Sequence, residues 1–227
     1  MSDNAEVRHP LGDRHRSLKS ELIDELRMDI VQGRLRPGER LVERVLAESY
    51  GVSRVPLREA MLHLAAEGFL TLAPRRGATV ATFTLDSVSD LFDVREQLDA
   101  LAARLATQRA DEAGLARLEQ TLLRSEKAVA DGDEAELTSS NARFHEIIVE
   151  LAGSPLLTSI MRPIAARVHW LFGFMSRSEP AALMSEHEQL FLLIRAGDPD
   201  AASEYARAHV AETRQSTIDS LAGLMTG

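Results

Sequence analysis

Hydrophobic residues follow a helical period along nearly all of this chain. Apolar side chains recur every four positions over 17–32, which predicts an amphipathic helix that ends at Gly33. Further helical patterns follow. They are separated by Gly and Asp at the helix ends and by Pro near the helix starts. The predicted helices are 86–109, 112–130, 134–152, 155–176, 181–196 and 199–224. Six consecutive helices predict an antiparallel all-helical bundle.

Residues 41–68 contain two helical patterns in close succession. Apolar side chains recur at helical spacing over 41–50, and Gly51 ends this segment. A second helix is expected to begin at Ser53, whose hydroxyl would cap its first turn, and to end at Gly68. Its buried stripe consists of Leu57, Ala60, Met61, Leu64 and Ala65. The order helix, tight turn, helix is typical of the helix-turn-helix arrangement.

Two short β-prone runs, 69–73 and 77–83, follow the second helix. The link between them contains two adjacent arginines, so the pair predicts a β-hairpin wing with a basic tip. Arg54 and Arg58 are one turn apart at the start of the second helix, where guanidinium groups suit phosphates and guanine edges. The alternative is that this arginine pair is an ordinary solvated face, because surface arginine is common.

Composition narrows the classes of protein. The 227 residues suit two modest domains, and an aromatic content of 4% means that the cores consist mainly of aliphatic side chains, which favours helices. The absence of cysteine excludes disulfides, thiolate catalysis and a cysteine-type zinc site. No apolar run approaches the length of a membrane span and no signal-peptide core is evident, so we expect a soluble, cytoplasmic protein with no membrane partner.

Charge is distributed unevenly. The whole chain has a net charge of −9, but residues 1–80 carry 13 basic and 12 acidic side chains. The remainder is therefore strongly acidic and would repel DNA, which leaves the N-terminal part as the candidate contact surface. We predict a flexible tail over 1–16, a winged helix-turn-helix domain over 17–82 and a helical ligand-sensing domain over 86–224.

Four histidines lie in the predicted bundle. His187 stands 10 residues before Gly197 and His209 stands 12 residues after it, so both lie at nearly the same height on antiparallel helices. Asn141 and His145 are one helical turn apart and share a face. Each histidine alone is more often a hydrogen-bonded core or surface residue than a metal ligand, and we interpret His169 as structural.

Two groups of motifs carry a resemblance to a known family. Residues 38–60, followed by Glu67-Gly68 and Arg76-Gly77, resemble the winged-helix domain of GntR-family transcription regulators. Residues 141–155, 186–198 and 208–210 resemble the FCD domain of its FadR-like branch. The resemblance implies a homodimer on a near-palindromic double-stranded DNA operator. It also implies DNA contacts from Arg44, Ser53, Arg54, Arg58, Arg75, Arg76 and Gly77.

The FCD resemblance further implies a divalent metal bound by an acidic residue and three histidines. The positions that match are Asn141, His145, His187 and His209. Asn141 replaces the acidic residue, so both the charge of the site and its metal affinity should fall. Three neutral imidazoles still favour zinc or nickel over magnesium or calcium.

An arginine on the apolar stripe of the first bundle helix indicates an anionic ligand. Arg95 would point inward and needs an anion, which is either a small organic acid effector or its neighbour Asp99. Weaker pocket candidates are Arg143, Arg162, Arg167 and Trp170. The sequence shows no dedicated catalytic base, so we expect a regulator and not an enzyme. The alternatives are a metal-dependent enzyme fused to a DNA-binding module, and an FCD cavity that holds its ligand without metal.

Overall fold

The N-terminal part of the computed structural model is a helix-turn-helix with a small sheet. The structure describes residues 18–73, 77–173 and 180–226. In chain order the first elements are α1 (Leu18–Val31), β1 (Arg40–Leu41), α2 (Glu43–Ser49), α3 (Arg54–Ala66), β2 (Leu70–Ala73) and β3 (Gly77–Val80). The strands form an antiparallel sheet in the order β1-β3-β2. The predicted tail 1–16 and the wing-tip residues Arg75 and Arg76 lie outside the described residues.

Two local predictions in this domain were wrong. Leu41 belongs to a strand and not to the first helix of the motif, because its backbone pairs with Ala78 of β3 and its side chain enters the core. The helix therefore begins at Glu43. Ser53 occupies the N-cap position of α3, but its side chain makes no capping hydrogen bond. The start of α3 depends instead on its buried apolar stripe and on Pro56 in its first turn.

The C-terminal part of the described chain is a helical bundle, as predicted. Its helices are α4 (Leu85–Arg109), α5 (Glu112–Asp131), α6 (Glu134–Leu151), α7 (Pro155–Phe172), α8 (Pro180–Ala196) and α9 (Pro199–Thr226). The side chains of Thr84, Asp111, Asp133 and Ser154 cap four of these helices. The break between α4 and α5 falls at Ala110 and Asp111, shortly before Gly114. Gly114 itself lies inside α5, where an added Cβ would collide with the Leu151 side chain.

The core of the bundle is formed by buried side chains from all six helices, α4 to α9. Alanines on α4 and α9 let these two long helices pack closely, and Phe144 and Leu118 fill the middle. None of the helices in the described part of the chain is both long enough and apolar enough to cross a membrane. The architecture is therefore a winged helix-turn-helix followed by an all-helical domain, which confirms the predicted fold class.

Helix α7 packs against both domains. Its Trp170 is buried in the core of the DNA-binding domain, with its ring centroid 5.6 Å from that of Phe69 and 4.4 Å from that of Phe83. Arg162 on the same helix makes an ion pair of 2.9 Å with Asp24 of α1. Trp170, a weak pocket candidate from the sequence, is thus an interdomain packing residue, because the face of α7 that carries it points towards the winged domain.

Candidate metal centre and nucleic-acid interface

Three histidines from three helices converge at the centre of the bundle. His145 lies on α6, His187 on α8 and His209 on α9. Their ligand nitrogens all lie within 4.8 Å of one another, and His187 and His209 are buried. The His187 ring also stacks on Phe144, with centroids 4.5 Å apart. Imidazole nitrogens are preferred ligands of zinc and other divalent transition metals, so the three side chains are candidate ligands for one ion.

Chain geometry explains this convergence. Helices α8 and α9 are antiparallel neighbours joined at Gly197, whose φ of +74° permits the tight reversal. His187 and His209 stand at similar distances from that turn, so both side chains reach the same level of the bundle. Helix α6 then supplies His145 from the facing side, with ring centroids 5.0 Å from His187 and 5.4 Å from His209.

Asn141 supplies a buried oxygen next to these histidines. It lies one turn before His145 on α6, and its side chain is buried. Its Oδ1 atom has no hydrogen-bond partner within the described ranges. A buried carbonyl oxygen left without a partner costs about 1–3 kcal/mol, which a coordinated cation would offset. The residues present therefore fit a metal ion, although the amide adds no charge to the site.

Glu186 orients one of the three histidines, and the sequence analysis did not identify it. Its Oε2 lies 2.7 Å from Nδ1 of His209, which leaves Nε2 of that ring as the nitrogen for a metal. Carboxylates that accept from the second ring nitrogen of a metal-binding histidine fix its tautomer and orientation. The available sequence signal was the position of Glu186 directly before His187, at the height of His209 on the neighbouring helix.

A small chamber adjoins the histidines. A void of about 10 Å³ lies among Asp99, His145 and His209, which is about the space of one water or ion. Beside it, a chamber of about 40 Å³ is lined by residues that include Arg95, Asn141, His145 and His169. His169, which we interpreted as structural, is therefore part of the chamber wall.

Arg95 lies in this chamber wall and is held by Asp99. Its Nε and Nη2 atoms lie 3.1 Å and 3.0 Å from Oδ2 of Asp99, and both side chains are buried. Its Nη1 atom is also buried and has no hydrogen-bond partner in the part of the chain that the structure describes. Asp99 thus satisfies one edge of the guanidinium, and the remaining nitrogen is available to a second anion.

The candidate DNA face is formed by exposed arginines on α2 and α3. Arg54 is exposed at the first residue of α3. Arg58 donates to both oxygens of Glu43, at 3.1 Å and 2.8 Å, and this contact holds the pKa of the Glu43 carboxyl below its usual range. Arg44 makes an exposed ion pair of 2.9 Å with Glu48. The sequence analysis did not identify these glutamate partners.

Gly77 has a local structural reason to be glycine. Its φ of +83° lies in the left-handed region, and a Cβ there would stand 3.4 Å from the carbonyl oxygen of Leu41. Closure of the β2–β3 hairpin against β1 therefore accounts for the residue without DNA. The basic tip at Arg75 and Arg76 lies outside the described residues, so its contacts stay predictions.

Comparison with known proteins places the chain in a family. The FCD domain matches residues 90–212, and the bacterial regulatory proteins of the gntR family match residues 18–80. This chain belongs to the GntR family and carries an FCD domain, in agreement with the FadR-like branch. The matched ranges lie within the two predicted domains, whose own boundaries stay predictions. The three histidines lie within the residues that match the FCD domain.

Curated relatives are named as regulators. The chain is 31% identical to the uncharacterized HTH-type transcriptional regulator YdhC of Bacillus subtilis over 192 residues, which are 83% of this chain and 86% of that protein. It is 27% identical to the regulator McbR of Escherichia coli over 90% of this chain and 93% of that one. It is also 27% identical to the E. coli repressor RspR, over 84% and 85%. The chain is a transcription regulator and not an enzyme.

Solved structures share the fold. E. coli McbR superposes on this chain with a TM-score of 0.72 at 25% identity. The superposition covers 90% of this chain and 98% of McbR. A transcriptional regulator GntR from Rhodococcus sp. RHA1 superposes with a TM-score of 0.74 at 20% identity, covering 90% and 99%. At 20% identity, the similarity to the Rhodococcus protein shows only that the two proteins share a fold.

Proposed function

We propose that this protein is a metal-dependent acid sensor that regulates transcription in the cytoplasm as a homodimer on a near-palindromic operator. Two observations carry the proposal: the buried Asn141 oxygen has no partner among the described residues, and it lies one helical turn from His145, whose ligand nitrogen is within 4.8 Å of those of His187 and His209. Buried polar atoms normally have partners, so this arrangement points to a ligand. The histidines select a transition metal, and we propose zinc or nickel.

A small organic acid is the proposed effector. The chamber beside the histidines is lined by Arg95, and the partnerless Nη1 atom of this residue offers a charge-assisted hydrogen bond to a carboxylate. A carboxylate in the chamber would contact the metal on one side and Arg95 on the other. Because Asp99 already binds Nε and Nη2, the arginine is held in position before the acid arrives.

The proposed DNA contacts come from Arg44, Ser53, Arg54, Arg58, Arg75, Arg76 and Gly77. The two recognition helices of a dimer would enter successive major grooves, which matches a near-palindromic site. An acid that binds two dimer arrangements with different affinity would change the spacing of these helices and hence operator affinity. Coupling of this kind typically amounts to about 1–3 kcal/mol, or roughly 5- to 150-fold. RspR is named a repressor, and we propose repression here as well.

Calorimetry tests the sensor proposal. Purified protein is loaded with zinc or treated with chelator, and each form is titrated with acetate, lactate, succinate and citrate. We expect at least one acid to bind the zinc form and not the chelated form. Arg95→Ala should weaken acid binding and leave the metal in place, and Arg104→Ala is the matched control on the same helix. Acid binding that survives chelation or Arg95→Ala would contradict this site.

Sedimentation tests the dimer. One winged domain provides a small interface, whereas specific DNA binding usually buries more surface than a single module offers. We expect two chains both in free solution and on an operator duplex selected from a random library. A single chain in both conditions would contradict the proposed dimer.

A further inference from the structure

A large cleft separates the DNA-binding domain from the helical domain. Its volume is about 640 Å³, within the range of about 300–1,000 Å³ that is usual for small-molecule sites. Helix α1 forms one wall, with Met28 and Val31 facing the cleft. Helices α6 and α7 form the other wall. Domain interfaces are frequent ligand sites because neither domain fills the space between them.

The cleft adjoins the chamber beside the histidines. The residues that line both are Ala142, His145, Met161, Ala165 and His169. One side of His145 therefore belongs to the metal centre and chamber, and another side belongs to the interdomain cleft. Only the side chains shared by the two linings separate the chamber from the cleft and hence from α1.

The two spaces differ greatly in size. The chamber of about 40 Å³ holds about three water-sized groups, which matches a carboxylate and little more. Any larger acid that places its carboxylate beside Arg95 must extend its remaining atoms elsewhere. The adjoining cleft offers more than ten times that volume.

Charges around the cleft are already paired. Arg27 binds Glu67 and Asp24, and Arg162 also binds Asp24. On the facing wall Arg143 binds Glu146 and Glu150, which raises the pKa of its guanidinium. The remaining lining is largely aliphatic or methionine, with Met28, Val31, Val149, Met161, Ala142, Ala165 and Ala166. The cleft therefore suits an uncharged and mainly apolar group.

We propose that the effector is a carboxylic acid with an extended, uncharged and mainly apolar body. Its carboxylate occupies the chamber, and its body lies in the interdomain cleft against α1. This inference rests on the proposed acid-sensing function and specifies its ligand class. It also makes α1 a direct contact of the effector. Arg27 on α1 binds Glu67, the residue that ends recognition helix α3, so the ligand touches the support of the DNA-binding helix.

Straight-chain acids measure the contribution of the cleft. Zinc-loaded full-length protein is titrated calorimetrically with acetate, butyrate, hexanoate and octanoate. Buried methylene groups contribute about 0.8 kcal/mol each, so affinity should rise by up to about fourfold per carbon beyond butyrate. If the hydrocarbon body of each acid remained in solvent instead, all four acids would bind with equal affinity.

Two variants block the cleft from opposite walls. Met28→Trp on α1 and Thr158→Trp on α7 replace exposed residues that line the cleft. Each should lower hexanoate affinity at least about tenfold, the equivalent of about 1.4 kcal/mol, and leave acetate affinity unchanged. Leu18→Trp is the control, because Leu18 is exposed on the same helix and does not line the cleft.

The outcomes separate this inference from the proposed function. Rising affinity with chain length that both tryptophan variants abolish supports the inference. Zinc-dependent binding that is equal for all four acids, or that neither variant changes, overturns the inference and leaves the acid sensor standing. Absence of binding for every acid in both series overturns the sensor and this inference together.

Discussion

The candidate DNA face and the centre of the bundle differ in how their polar side chains are paired. On the DNA face, Arg44 and Arg58 are exposed and each makes an ion pair with a glutamate. At the bundle centre, Asn141 and Arg95 are buried, and each has one polar atom with no hydrogen-bond partner among the described residues. Water can satisfy an exposed charge at little cost, whereas a buried polar atom has no such substitute.

This contrast determines how each surface can be identified. Exposed arginines are common, so the geometry of α3 alone does not distinguish a DNA contact from a solvated face. Helix order and the family match favour a DNA contact. The buried centre can be recognised from its own geometry, because partnerless buried atoms close to converging histidines favour a bound ion, ligand or water. Mutations should therefore affect the two surfaces differently.

The largest effect should follow removal of a metal-binding imidazole. His187→Ala should lower zinc affinity by more than about 100-fold, since even loss of an outer partner costs roughly 10- to 100-fold. The stabilisation of the protein by zinc in thermal unfolding should disappear with it. Metal content after dialysis and the Tm with and without zinc provide the measurement.

Matched variants sharpen that result. His63→Ala removes an exposed histidine outside the centre and should leave zinc content unchanged. Glu186→Gln keeps the size of the His209 partner and should cost only about 10- to 100-fold in zinc affinity. Full zinc binding by His187→Ala would place the ion elsewhere.

Loss of an arginine at the DNA face should have an intermediate effect. Arg54→Ala or Arg58→Ala should each weaken operator binding by about 1–3 kcal/mol if the side chain contacts bases. A side chain that only neutralises phosphate would instead lower affinity for all sequences and reduce the salt slope by about one unit. Fluorescence anisotropy with operator and scrambled duplexes at several salt concentrations separates these roles.

The control for the DNA face is Arg104→Ala in the helical domain. Arg104 is exposed and paired with Asp200, far along the chain from the winged domain. The variant should bind operator as the wild type does. Normal binding by both recognition-helix variants would remove α3 from the interface.

A negative charge added at position 141 should raise zinc affinity, by less than the loss of His187 lowers it. Asn141→Asp should tighten zinc binding by about tenfold, because attraction between the carboxylate and the ion exceeds the cost of burying the new charge. Without zinc, the same variant should be less stable than the wild type, since the new carboxylate and Asp99 would then repel each other without a cation. Zinc titration and the Tm of the chelated protein measure both effects.

Asn141→Ala is the comparison variant at this position. It removes the partnerless oxygen and should raise the stability of the zinc-free protein relative to the aspartate variant. Zinc affinity that is equal in wild type, Asn141→Asp and Asn141→Ala would show that this residue does not contact the ion.

The smallest expected effect concerns the carboxylate that binds Arg58. Glu43→Gln should strengthen DNA binding by about two- to fivefold, because exposed ion pairs contribute about 0–1 kcal/mol and the variant also removes a negative charge near phosphate. Arg58 lowers the pKa of the Glu43 carboxyl, so the wild-type pair is fully charged at neutral pH. Anisotropy at low salt provides the measurement, and Glu48→Gln tests the equivalent pair at Arg44. Weaker binding by Glu43→Gln would show that the pair positions Arg58 for DNA.

Local sequence signals determined most of the secondary structure. Asp133 and Ser154 cap α6 and α7 through hydrogen bonds to amides three residues ahead, so a short run of residues contains the whole interaction. Apolar stripes likewise predicted which face of each helix enters the core. The predicted proximity of His187 and His209 depended only on helix rise and one turn, and the structure places the two rings 5.1 Å apart.

Contacts between elements were decided by the tertiary structure. Strand β1 has two residues and depends on β3 for its hydrogen bonds, so no periodicity could indicate it. Trp170 enters the core of the other domain, and Glu186 reaches His209 across 23 residues. These contacts depend on how each helix is rotated about its axis and how the two domains meet. That rotation follows from packing of the whole molecule, whereas caps and stripes follow from a few neighbouring residues.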